Sequence, residues 1–178
     1  IYTSDSIACR HGVVVSISHP ASEVGVAILK QGGNAVDAAI ATAFALAVTY
    51  PAAGNIGGGG FMLVHPALGH GEPVVFDYRE TAPAAAWPTM YTKEESQFAQ
   101  RAVAVPGTIR GLEMAHRKFG VLPWKQLIGP AITLARDGFP VDPFLVDLIN
   151  DVLAAAPEKA ALQRVFGVPA GPAPGGAG

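Results

Sequence analysis

GNIGGGGFMLVHPALGHGEPVVFDYRETAP, residues Gly54 to Pro83, holds two short apolar runs separated by a turn-rich gap. Four glycines, Gly57 to Gly60, lead into Phe61–Val64, and Pro66–Glu72 leads on to Pro73–Tyr78. Two such runs joined by a Gly/Pro-rich gap longer than a tight turn predict a β-hairpin. The second run delivers Arg79-Glu80 to its end. An arginine where a strand stops offers a planar fork to a carboxylate while the strand steadies its stem. The glycines permit close approach of backbone to another chain or to a ligand. A phosphate cradle would instead need glycines opening a helix, followed by a lysine. Here they open a strand and no lysine follows, so close packing is the preferred reading.

Working outward, Val13–Ser18 reads as a buried strand ended by His19-Pro20, with Ser18 or His19 near the cap of a helix over Ala21–Gln31. Gly32-Gly33 stops that helix. A second helix is expected over Asn34–Thr49, with Asn34 as N-cap and Asp37 in its first turn. Its alanines suit an interior helix packed on several sides. Downstream, Thr92–Gln100 is polar and loop-like, and Arg101–Val105 reads as a short strand. A helix follows Pro106-Gly107-Thr108 and ends at Phe119-Gly120. Another runs from Pro123 to about Asp137, and Pro130 predicts a kink or break within it. Asp142-Pro143 begins a last helix ending near Ala156. The organisation expected is one unit over residues 1–166 and a disordered Gly/Pro/Ala-rich tail over 167–178.

The chain has 178 residues, of which 50% are hydrophobic and 15% charged, so its surface suits burial against a partner. A net charge of −2 without a basic stripe argues against nucleic acid. The single cysteine, Cys9, excludes an internal disulfide. The longest apolar stretch, Ala35–Val48, is short of the ~20 residues a membrane span needs. No export signal is visible, and the first residue is Ile1.

Among chemistry-bearing residues, Arg79 is the leading candidate for substrate binding, with Glu80 orienting it. The bland alternative is an ordinary surface ion pair. His11, His19, His65, His70 and His116 are scattered. Glu113 and His116 share a helix face but lack the further ligands of a metal site, so no metal is expected. No nucleophile elbow exists. Thr81 and Thr108 stand at turns, where local backbone bonding is their usual role. No catalytic residue is therefore expected within this chain, and no cofactor is implied.

As a set, these blocks are similar to one family. The segments Gly32-Gly33-Asn34-Ala35-Val36-Asp37-Ala38-Ala39, Gly54–Leu63, Asp77-Tyr78-Arg79-Glu80-Thr81-Ala82-Pro83, Val105-Pro106-Gly107-Thr108 and Ala135–Phe139 occur in the order seen in γ-glutamyltransferases. The chain resembles the amino-terminal part of their large subunit over roughly Gly12–Val141. The resemblance implies an α+β fold, the αββα sandwich of the amino-terminal nucleophile hydrolases, present here as a large-subunit fragment. It also implies a self-cleaving precursor that yields a heterodimer. The new amino-terminal threonine of the small subunit attacks a γ-glutamyl amide such as glutathione, its own amine serving as base. The acyl group then passes to water or an amino acid. The position matching the family's α-carboxylate clamp is Arg79. Neither the small subunit nor its threonine lies in these residues, so the chain alone is expected to be inactive. Many relatives are periplasmic or extracellular. The alternatives are a related cephalosporin or glutaryl acylase, whose substrates lack the α-amino acid head, and a non-catalytic fragment that docks to a partner.

Overall fold

The structure is a computed structural model that describes residues 8–67, 70–93, 95, 100–155 and 159–167. Most of the expected tail, most of the Thr92–Gln100 loop's interior and the first seven residues of the lead-in lie outside that set. The chain divides into two compact units, Ile1–Phe139 and Pro140–Gly178.

In the first unit, helix α1 spans His19–Lys30 with Pro20 in its first turn and Ser18 as N-cap. Ser18 does not cap its own helix with its side chain. Its hydroxyl donates to Thr49 Oγ1 at 2.8 Å in the interior, tying the start of α1 to the end of the next helix. Gly32, at φ +90°, takes a backbone that side chains disfavour, and Gly33 N closes back on Ile28 O at 3.0 Å.

Helix α2, Ala35–Thr49, starts on a reciprocal capping box. Asn34 Oδ1 accepts from Val36 N and Asp37 N at 2.9 and 3.0 Å, and Asn34 N donates to Asp37 Oδ2 at 3.0 Å. It is the interior helix that its alanines predicted: Val36, Ala38, Ile40, Ala41, Phe44 and Ala45 are all buried. The Asp37 carboxylate reaches further, accepting from Val121 N at 3.2 Å and Leu122 N at 3.4 Å. Asn34 Nδ2 adds a 2.6 Å bond to Phe119 O. One short motif thus caps its own helix and anchors a loop 84 residues away.

The hairpin is present: β1, Phe61–Val64, pairs antiparallel with β2, Val74–Asp77, in the register Met62 opposite Phe76 and Val64 opposite Val74. Period-two alternation turns Met62, Val64, Val74 and Phe76 onto the core. Phe61, Leu63 and Val75 face outward and stay 59–67% exposed. Helices α3, Thr108–Phe119, and α4, Trp124–Asp137, complete the core with Leu112, Ala115, Leu127 and Ala131. Edge-to-face pairs Phe44–Trp124 (5.5 Å) and Phe76–Phe119 (6.1 Å) join the layers.

Three local expectations are corrected. Val13–Ser18 forms no strand among the described residues. Its burial alternates as a strand's would, with Ser18 buried and Val15 85% exposed, but no neighbouring strand supplies a ladder. Arg101–Val105 is likewise not a strand. A 3-10 turn takes Gln100–Ala102, and Val105 alone pairs, with Thr81. Pro106, which has no N–H to donate, follows at once. Of the kink or break expected at Pro130, the break is absent: helix α4 is continuous through it. Gly129 precedes it and has no Cβ to clash with the proline ring, so the usual penalty on an α-helical residue before proline is relieved.

In the second unit, α5 spans Pro143–Ala155 and begins where Asp142 Oδ1 accepts from Leu145 N at 2.9 Å. A short helix not anticipated from sequence, α6 at Ala160–Phe166, follows, and Gln163 Nε2 donates to Leu153 O at 2.9 Å. No helix among the described residues is long and apolar enough to cross a membrane.

Candidate functional site

The hairpin's pairing continues one step past β2. Tyr78 N donates to Gly60 O at 3.0 Å, and Gly60 N reaches back to Tyr78 O at 3.4 Å. Arg79 comes next, with its own N–H held by Asp77 Oδ1 at 3.0 Å. Two residues further, Thr81 and Val105 exchange backbone hydrogen bonds of 3.2 and 2.9 Å. The backbone around Arg79 is therefore pinned on both sides in sequence, although Arg79 lies outside the strand itself.

The Arg79 side chain is 65% exposed and meets Glu80 through Nε–Oε2 at 3.4 Å. Among the described residues, no other carboxylate lies within ion-pair distance of it. An exposed pair at that distance contributes little to stability, and the charge remains available to a ligand. Both residues line an open depression of ≈ 740 Å³. Its other walls include Gly57, Pro83, Trp87, Met90 and Tyr91. One cation, with Glu80 at its Nε edge, among mostly apolar residues is a chemistry suited to an amphiphilic acid, with the carboxylate on the open side of the guanidinium and the rest against the rings.

The glycines divide by role. A Cβ on Gly59 would stand 2.6 Å from both Tyr78 O and Glu80 N, and one on Gly60 would lie 3.0 Å from the Tyr78 ring. These two are packing glycines, as the sequence suggested. Gly57 has open space around it and lines the depression instead. From α3, side chains on Gly107 and Gly111 would run into Tyr78 O and the Tyr78 ring respectively. Tyr78 is thus gripped between glycines from two elements. Its hydroxyl donates to Phe61 O at 3.3 Å, and burial pushes the phenol above its ordinary 10.0, keeping it neutral.

The other candidates are dispersed. Glu113 is taken by Arg117 at 2.7 Å and by Arg110 at 3.4 Å, while His116 Nε2 lies 2.7 Å from Leu122 O and its ring packs on Trp124. No group of three His, Cys, Asp or Glu residues is assembled among the described residues. Cys9 is exposed in the lead-in. Thr81 takes part through its main chain, in the bridge to Val105, 24 residues on, rather than through the local turn bonding expected of it. Thr108 does something sequence reasoning missed. Its hydroxyl donates to Asn55 Oδ1 at 2.7 Å, across 53 residues. The only trace in the sequence is that both residues sit beside glycine-containing blocks.

Comparison with known proteins gives a consistent result. A family model described as gamma-glutamyltranspeptidase matches residues 21–173. The glutathione hydrolase proenzyme of Pseudomonas sp. strain A14 is 48% identical over 150 residues, which is 80% of this chain and 26% of that protein. The crystal structure of Helicobacter pylori gamma-glutamyltranspeptidase superposes with a TM-score of 0.82 at 38% identity, covering 90% of this chain and 48% of that one. The gamma-glutamyltranspeptidase from Pseudomonas nitroreducens, solved with L-DON, gives 0.78 at 44% identity, covering 90% and 49%. The chain therefore spans about a quarter of the length of a curated relative and about half of a solved chain. The α+β fold expected of an amino-terminal nucleophile hydrolase is the one these structures share with it. With the family model covering most of its residues and the blocks around Arg79 in their expected order, this chain belongs to the gamma-glutamyltranspeptidase family.

Proposed function

We propose that this chain is the substrate-gripping part of an enzyme that transfers or hydrolyses γ-glutamyl groups, with glutathione and other γ-glutamyl amides as substrates. The observation that carries this reading is Arg79: exposed, backbone-pinned and set at the rim of the depression. Its guanidinium holds the substrate α-carboxylate, and Glu80 at Nε fixes one edge of the fork. The nucleophile, an amino-terminal threonine, comes from a small subunit. The chain by itself grips without cutting.

Two further features support a partner. The outer face of the hairpin presents Phe61, Leu63 and Val75, and the row Val13, Val15, Ile17 is exposed as well. Apolar rows of this kind are what a second sheet covers in a sandwich. The relatives' much greater length supplies the residues for one.

The test assembles this chain with a threonine-bearing small subunit and follows release from a γ-glutamyl anilide. Removing a charge-assisted carboxylate contact costs ~1.5–3 kcal/mol, so Arg79→Ala is expected to raise KM by about 10- to 150-fold. A 4-aminobutanoyl anilide, the same acyl chain without its α-carboxylate, should be indifferent to the substitution. An unchanged KM for the γ-glutamyl anilide refutes the clamp. A clear preference for a glutaryl anilide over the γ-glutamyl one refutes the γ-glutamyl reading and points to an acylase.

A further inference from the structure

The backbone that carries Arg79 is closed in by two walls. Gly59 stands against Tyr78 O and Glu80 N on one side. Gly107 stands on the other, where a Cβ would collide with Tyr78 O and come within 3.2 Å of Arg79 O. The walls are joined to each other. Gly58 O accepts from Gly107 N at 2.8 Å and from Thr108 N at 3.0 Å. A side-chain link then locks the join: Asn55 Oδ1 accepts from Gly58 N at 2.9 Å and from Thr108 Oγ1 at 2.7 Å. Thr108 is buried while Asn55 is exposed, with its amide on Ala53 O at 3.3 Å.

We propose that Asn55 and Thr108 are positioning residues for Arg79, closing the glycine turn and the start of α3 into a clasp around Tyr78–Glu80. The proposal rests on the reading of Arg79 as a carboxylate clamp. Neither residue touches the substrate. The glycines make the clasp narrow because they put backbone against backbone, but they supply no side chain to hold it shut. Nothing in α3 caps the first turn from Gly107. Without the Asn55–Thr108 link, the direct hydrogen bonds left between the turn and the helix start, among the described residues, are the two to Gly58 O. A looser clasp lets the Arg79 fork move relative to the acyl chain, and displacement of a gripping group by about 1 Å is enough to cost a binding step dearly.

The experiment uses the assembled enzyme and compares Thr108→Val, which keeps the shape and removes the hydroxyl, with Thr108→Ser, which keeps the hydroxyl. Asn55→Ala provides a second route at an exposed residue, so the question stays answerable if Thr108→Val does not fold. Arg79→Ala is measured alongside. Expected are a KM for the γ-glutamyl anilide raised about tenfold by Thr108→Val and Asn55→Ala, with kcat within about twofold, and wild-type behaviour for Thr108→Ser. The efficiency toward the 4-aminobutanoyl anilide should stay at its wild-type level in the Thr108 and Asn55 variants, which a merely destabilised fold would not allow. The proposal is overturned if the folded variants keep the wild-type KM while Arg79→Ala raises it, or if both substrates lose efficiency together. If Arg79→Ala itself has no effect, the clamp reading fails and this inference goes with it.

Discussion

Asp37→Ala tests the claim that the Gly32–Ala39 block is a structural anchor. The Asp37 side chain is 0% exposed and accepts from three backbone N–H groups: Asn34 at 3.0 Å, Val121 at 3.2 Å and Leu122 at 3.4 Å. Alanine leaves all three donors without their acceptor. A buried donor left unsatisfied costs ~1–3 kcal/mol, and bonds to a charged acceptor sit at the strong end of that range. The Leu122 bond is the longest of the three, so its loss counts for least. Counting the Asn34 and Val121 donors at ~1–2 kcal/mol each and discounting the third gives a loss of about 2–4 kcal/mol. With a urea slope of about 2 kcal/mol per M, the unfolding midpoint should fall by roughly 1–2 M. The measurement is urea unfolding followed by far-UV circular dichroism, with amide exchange at Val121 as a local readout. A loss below about 0.5 kcal/mol, or unaltered exchange at Val121, would show that the carboxylate does not hold the loop.

Gly111→Ala puts a methyl into the Tyr78 ring, and overpacking of this kind should destabilise the fold by about 1–3 kcal/mol; an unshifted thermal midpoint contradicts the grip on Tyr78. The Glu95 carboxyl is held below its ordinary 4.5, first by the Thr92 N–H at 3.0 Å and then by Arg101. Its folded-state value is depressed, so any stability it contributes is present above 4.5 and fades as pH falls through the lower folded value. Carbon-detected NMR titration should find the Glu95 midpoint below 4.5, and Thr92→Pro, which removes that N–H, should move it up; a midpoint at 4.5 in the unsubstituted chain refutes the contact.

What could be read in the sequence was local. Asn34 and Asp37 stand three apart in front of an alanine-rich run, and that spacing alone placed the start of α2 and its acidic first turn. The hairpin followed from two apolar runs and a Gly/Pro gap, and Arg79 from its place at the end of the second. What failed depended on partners distant in sequence. Val13–Ser18 has the composition of a strand, but a strand exists only where another backbone pairs with it, and composition is blind to that. The strand expected at Arg101–Val105 failed for the same reason, with one pairing at Val105 where several were needed. Pro130 alone predicts a break, and Gly129 before it changes the steric balance. The Asn55–Thr108 link joins two blocks 53 residues apart, and only the fold brings them together. Gly107 at the N-cap of α3 and Gly111 four residues on are the legible sign that another segment, Tyr78 with its main chain and ring, passes close there.

The row Val13–Ile17 has a consequence for how such a chain must be made. Residues 12–18, GVVVSIS, are uncharged, β-branched and free of proline, the profile of a segment that pairs with copies of itself. Self-pairing is bimolecular, and its rate climbs with the square of chain concentration. If the complementary strands were tethered to the same polypeptide, capture would be unimolecular, at an effective concentration on the order of millimolar whatever the expression level. A precursor synthesised as one chain and divided only after folding wins that race by construction. Two subunits made separately would have to win it by dilution, and the sticky row would be the part that decides how much of the chain survives to be assembled.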